Sequence, residues 1–280
     1  MLTNVTFSRI LCAVDLSEPG RAAFHQALAL AKAHGALLSL VFAIPRSVRF
    51  NWRALERIRQ IAEFRRIASA EGVSLNISAQ QGDPAGIILL HATARKHDAI
   101  VIGMPDQSVL ERLRFGTIAE RVIAGAPCPT FVVRSSENEC TEGTFSHILC
   151  PVNVSPASES AVNSAMKLLR RGGQKLTLLH VGPLQAASTA RRQLQLLALK
   201  GADLGRKMHS RLAGGPVASG ILDVAAELKP DLIVLGMTSQ SGVRRWFNSI
   251  TNRVVRGSTC PVLAIPGEDD FGRQHHYGNA

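Results

Sequence analysis

The chain has 280 residues, 46% hydrophobic and 19% charged, and 32 basic against 21 acidic side chains give it a formal net charge of +11. That length suits two domains, each able to bury its own core. No apolar run approaches the ~20 residues of a membrane span and no secretory leader opens the chain, so a cytosolic protein that does not enter membranes is expected. A basic surface favours anionic partners in general. The arginines are dispersed, however, and lack the interleaved aromatics of a single-strand binding surface, so nucleic acid is not an expected partner.

In chain order, residues 10–14 form a continuous apolar run of strand length. Ser17-Glu18-Pro19 has the character of a helix start, with a hydroxyl cap and a proline near the first turn. Ala23, Ala27, Leu28, Leu30 and Ala31 recur at helical spacing until His34-Gly35 stops the helix. Residues 36–44 read as a second buried strand ended by Pro45. Residues 52–71 read as a long amphipathic helix with Leu55, Ile58, Ile61, Ala62 and Ile67 on its apolar side. Residues 73–79 alternate as a third strand. Gly82-Asp83-Pro84 opens a third helix running to about Lys96. A fourth strand at 99–103, a helix at 117–124 and a last strand at 130–133 complete the series.

This series occurs twice. Ile10-Leu11-Cys12-Ala13-Val14-Asp15-Leu16-Ser17 returns as Ile148-Leu149-Cys150-Pro151-Val152-Asn153-Val154-Ser155. Residues 98–104 return at 231–237 and residues 126–133 at 258–265, with offsets between 132 and 138. The chain is therefore a duplicated domain, not a short solenoid repeat. The expected limits are 1–135 for the first domain, 136–146 for a polar linker, 147–267 for the second domain and 268–280 for a polar tail. The third strand of the second copy is expected near 207–213, before Gly214-Gly215-Pro216. Apolar strands separated by helices indicate parallel sheets covered on both faces. Such sheets bind ligands beyond the carboxyl ends of their strands, where strand order reverses.

The five cysteines show neither CxxC nor Cys/His metal spacing and read as small buried thiols, and no metal site is expected. The histidines occur singly, without a nucleophile–base–orienter set. His180 stands where the first copy has Phe42, so it reads as a bonded packing residue. The segment after the fourth strand carries the chemistry. Gly103 ends that strand, and Gly116-Thr117 opens the next helix. Glycines let backbone N–H groups approach a phosphate, and a helix N-terminus favours its charge. Ordinary turn chemistry explains the same glycines equally well. No Walker-type P-loop and no Gly-x-Gly-x-x-Gly fingerprint is present.

The opening strand with Ala13-Val14-Asp15-Leu16-Ser17-Glu18-Pro19, the Gly82-Asp83-Pro84 turn and the closing Ala126-Pro127-Cys128-Pro129 together resemble the universal stress protein family in its tandem form. The resemblance implies two Rossmann-like, adenine nucleotide alpha hydrolase-like α/β domains, each a five-stranded, mainly parallel sheet with helices on both faces. It implies ATP as ligand, with Mg²⁺ or Mn²⁺ as a possible companion. ATP-binding members carry Gly-x2-Gly-x9-Gly-Ser/Thr. The first copy keeps Gly103, Gly116 and Thr117 at that spacing but has Asp106 at the second glycine. The family's acidic position after the first strand maps to Asp15, and its adenine-side position to Ala43. Ala13, Met104 and Ile118 flank these positions and complete the expected set. The second copy departs further, with Asn153 for the aspartate, Ser239 and Asn248 for two glycines and a loop one residue shorter.

Three functions stay open on this reading: a nucleotide-binding stress protein acting through a protein partner, a nucleotide-free interaction or dimerisation protein, and a slow ATP hydrolase. The two domains are expected to pair as a pseudo-dimer, and a homodimer is a further expectation.

Overall fold

The computed structural model describes residues 7–44, 53–105, 118–134, 143–153, 155–169, 173–183, 187–203, 208–237 and 249–267. It divides into two compact units, Met1–Thr144 and Phe145–Ala280.

The first unit runs β1 (Arg9–Val14), α1 (Glu18–His34), β2 (Leu37–Ile44), α2 (Arg53–Ala70), β3 (Leu75–Gln81), α3 (Pro84–Ala94), β4 (Ala99–Gly103), α4 (Ile118–Gly125) and β5 (Thr130–Val133). Its strand order is β3-β2-β1-β4-β5, and every pairing is parallel. Residues 10–14 and 99–102 are buried along their whole length, which is why these strands are continuously apolar rather than alternating. Right-handed crossovers place α1 and α2 on one face of the sheet and α3 and α4 on the other. Phe24 stacks on Phe64 between the first two helices, with ring centroids 3.9 Å apart. On the opposite face, Asp83 caps α3 by accepting from Gly86 N at 2.9 Å and receives both Nη atoms of Arg121 on α4 at 2.8 and 2.7 Å. That guanidinium, with the Gly86 amide, holds the Asp83 carboxyl below its usual range.

The helix ends follow the sequence chemistry. Ser17 caps α1 by accepting from Gly20 N at 3.2 Å, and Gly35 closes it in the left-handed region at φ 64°. Three expectations shift. The apolar side of α2 is not the one expected, for Ile58 is 62% exposed, whereas Gln60, Phe64 and Ala68 are buried. The row spaced by four residues through Phe64 faces the sheet, and its stacking on Phe24 is consistent with that rotation. The third strand begins at Leu75 rather than Val73, because Gly72 (φ 69°) closes α2 and Val73 N is spent on Ala68 O at 2.9 Å. Helix α3 ends at Ala94 rather than Lys96, which itself lies in the left-handed region at φ 50°.

The second unit runs β6 (His147–Pro151), α5 (Pro156–Leu168), β7 (Lys175–Val181), α6 (Ala187–Asp203), β8 (Met208–Ala213), α7 (Val217–Leu228), β9 (Leu232–Gly236), α8 (Ile250–Gly257) and β10 (Val262–Ile265). Its order is β8-β7-β6-β9-β10, again all parallel. One device recurs in both units. Asp98 accepts from Ser8 N at 2.7 Å and Arg9 N at 3.1 Å, tying the start of β4 to the start of β1. Asp231 does the same with Ser146 N at 2.6 Å and His147 N at 3.1 Å. Another device is lost. Gly215 stands in the place of Asp83, α7 has no side-chain cap, and Arg253, in the place of Arg121, has no carboxylate there to meet.

Candidate functional site

Strand order in the first unit reverses between β1 and β4, so the carboxyl ends of these two strands flank the crevice where an open parallel sheet takes a ligand. Ala13 pairs with Ile102, which puts Asp15 and Gly103 at the same end of the sheet. Ala43 is on the neighbouring β2, one residue beyond the Val14–Phe42 pairing. Ala13, Asp15, Ala43, Gly103 and Met104 are thus gathered at one end. Ile118 opens α4 and is 43% exposed. Asp106, Gly116 and Thr117 lie outside the described residues, as do Ser239 and Asn248 of the second copy.

Each gathered residue has a local reason for its place. Asp15 is exposed, and its Oδ1 accepts from Ser17 N at 3.0 Å and also from the Ser17 hydroxyl. This turn carries the chain from β1 into α1. Gly103 lies against the backbone of Pro19 in the first turn of α1, and a Cβ there would overlap the Pro19 carbonyl. Gly236 lies in the same way on Ala157, in the first turn of α5. The repeated glycine is therefore required by helix–strand packing in both units, whatever else it does. Met104 is wholly buried and its amide continues the ladder onto Val133 O at 2.8 Å, so its side chain is withheld from the crevice.

Among the described residues, the two units also differ at the start of their first helices. Gly20 is the counterpart of Ser158. A Cβ at Gly20 would overlap Asp15 Oδ1 and stand 2.9 Å from the Asp15 amide nitrogen and 3.0 Å from its carbonyl oxygen, so the Asp15 turn packs directly on this glycine. In the second unit a serine stands at that position. The Ser158 hydroxyl accepts from Asn153 N at 2.9 Å and donates to Asn153 Oδ1 at 2.6 Å, while Ser155 Oγ lies 2.5 Å from the same oxygen. The polar groups at the end of β6 are consumed internally, whereas Gly20 offers the Asp15 amide no hydroxyl.

His180, at the end of β7, has its Nδ1 3.1 Å from Val152 O. A carbonyl only accepts, so Nδ1 carries the proton in that bond, as suits a bonded rim histidine. Cys12, Cys128, Cys150 and Cys260 are free and buried. Burial pushes the Cys12 and Cys260 thiols up and those of Cys128 and Cys150 to about 12, so they stay protonated and unreactive. Sequence reading by itself passed over Gly20/Ser158 and over Arg134, whose counterpart is Pro266. Both contrasts are visible once the copies are aligned residue by residue.

Comparison with known proteins agrees with the geometry. The sequence model of the universal stress protein family matches residues 6–134 and again 144–266. A universal stress protein of Methanocaldococcus jannaschii is 36% identical over 86 residues, covering 31% of this chain and 47% of that protein. One of Thermus aquaticus is 36% identical over 139 residues, covering 46% of this chain and 99% of that protein. The chain thus spans about half the length of the first relative and nearly all of the second. The crystal structure of a universal stress protein from Archaeoglobus fulgidus superposes with a TM-score of 0.78 at 18% identity, covering 95% of this chain and 98% of that one, which speaks for the fold alone.

Proposed function

The chain belongs to the universal stress protein family as a tandem of two family domains, and on that premise we propose that its first unit binds an adenine nucleotide, ATP, whose occupancy alters the protein partner the chain engages in a cytosolic stress response. Ala13, Asp15 and the backbone of Ala43 would receive the nucleoside. Gly103, Met104, Gly116, Thr117 and Ile118 would border the phosphates, with Asp106 turned outward or holding Mg²⁺ or Mn²⁺ beside them. The observation that carries this reading is the contrast between Gly20 and Ser158. At the switch point of the first unit the Asp15 turn packs directly on Gly20 and the Asp15 amide meets no hydroxyl, while in the second unit Ser158 stands there and bonds both the amide nitrogen and Oδ1 of Asn153. The second unit is accordingly the structural or dimer-forming half.

Mass spectrometry of small molecules released from freshly purified protein tests the ligand, with an adenine nucleotide as the expected species. Calorimetry tests the site. Gly116→Val is expected to abolish ATP binding, because its side chain fills space a phosphate needs, and Asn248→Val to leave it unchanged. The reverse order would overturn the assignment.

A further inference from the structure

Arg134, the first residue after β5, is only 8% exposed, although it carries a guanidinium. Taking such a charge out of water is costly unless its N–H groups are well occupied. Two of its contacts lie side by side on the chain leaving β4. Nη1 donates to the carbonyl of Pro105 at 3.1 Å, and Nη2 lies 3.9 Å from Met104 Sδ. Met104 is itself fixed from the other side, its amide donating to Val133 O at 2.8 Å with its side chain fully buried. The departure of the chain from β4 is thus held at three points, immediately before Asp106.

The second unit supplies the comparison. Met237 N donates to Ile265 O at 2.8 Å, so the backbone anchor is kept. The residue after Ile265 is Pro266, which has no side-chain donor. The copy that has Asn248 in place of Gly116 also lacks the arginine that grips the exit from β4.

We propose that Arg134 is a positioning residue for the phosphate side of the first-unit site: by holding the Pro105 carbonyl and the Met104 thioether it sets the direction in which the chain leaves β4 toward the nucleotide phosphates. This rests on the reading that the first unit binds ATP. Arg134 acts through the Met104–Pro105 backbone rather than by touching the ligand. A positioning role makes a demand that a merely structural role does not. Loss of Arg134 should weaken a ligand with phosphates and spare one without them, since Asp15 follows β1 and Ala43 lies on β2.

The test uses the full chain carrying Arg134→Met, which keeps an apolar stem for the buried site, and Arg134→Lys, which keeps the charge without the fork. Titration with ATP and with adenosine is combined with amide hydrogen exchange of the peptide spanning 104–117 in the absence of nucleotide. Arg134→Met is expected to weaken ATP by about tenfold, the worth of one charge-assisted hydrogen bond, with adenosine unchanged. It is also expected to speed exchange in that peptide while leaving exchange in β1 unchanged. Arg134→Lys is expected to fall between the two. Equal loss of ATP and adenosine, or Arg134→Lys matching the natural protein, would overturn the proposal. If the natural protein binds no ATP, the function proposed for the first unit fails on its own. The exchange arm then still decides whether Arg134 orders the loop, and unchanged exchange would remove that role as well.

Discussion

Gly103 meets the Pro19 carbonyl so closely that no Cβ fits between them. The contact seats the first turn of α1 on the end of β4, and Gly236 seats α5 on β9 through Ala157 in the same way. The expected outcome is that Gly103→Ala and Gly236→Ala each destabilise their unit by about 1–3 kcal/mol, as overpacking against backbone does. Urea unfolding measures both. A neutral Gly236→Ala would show that packing does not explain the repeated glycine.

Asp98 and Asp231 each accept two amide hydrogen bonds at the opening of their unit's first strand. Replacing either by Ala leaves those N–H groups without a protein partner, and because they lie near the surface, water recovers part of the loss. A cost of about 1–3 kcal/mol for each is expected in denaturant melts. Asn retains one acceptor oxygen and should recover part of it. An Asp98→Ala protein as stable as the natural one would reduce the clamp to an incidental contact.

His91, His97 and His147 all have imidazoles held below their ordinary value of 6.5, first of all by burial. The unfolded chain therefore takes up protons at a higher pH than the native one. Their contribution to stability is fully present above 6.5 and is lost as pH falls toward their depressed native values. Asp231 opposes this only at lower pH, where burial raises its carboxyl above 3.8. The melting temperature should hold steady above about pH 7 and decline below about pH 6.5. His97→Asn, which can still offer a donor to the His91 carbonyl in place of Nδ1, should make that decline shallower. An unchanged slope would place the acid sensitivity elsewhere.

Much of the fold was legible because it rests on local chemistry. Ser17 and Gly35 mark the ends of α1, Asp83-Pro84 marks the start of α3, and the matched strands of the two copies announce a duplication. The missed details depend on what lies across a contact. Ile58 and Phe64 are equally apolar in sequence, and only the stacking partner Phe24 distinguishes the buried side of α2. The glycine at 103 reads as a phosphate-loop signal, and its repetition as Gly236, in a unit with Asn248 for Gly116, finds its reason only in the structure, in packing against Pro19 and Ala157. Gly20 and Arg134 carry no motif at all. Their meaning appears only in the polar groups packed on or held by them, and in what Ser158 and Pro266 do in the other copy.

The central claim is that one unit, the first, takes an adenine nucleotide, and that the bare Gly20, on which the Asp15 turn packs without a serine to bond it, is part of the reason. It is tested most directly by calorimetric titration of ATP, with and without Mg²⁺ or Mn²⁺, into the natural chain and into an Asp15→Asn/Gly20→Ser variant, which copies the arrangement that the second unit accommodates at Asn153 and Ser158. The account predicts one site per chain in the natural protein and none in the variant, with the melting temperature of the variant showing that it remains folded. No binding by the natural chain at millimolar ATP in either condition, a stoichiometry of two, or undiminished binding by the folded variant would contradict it.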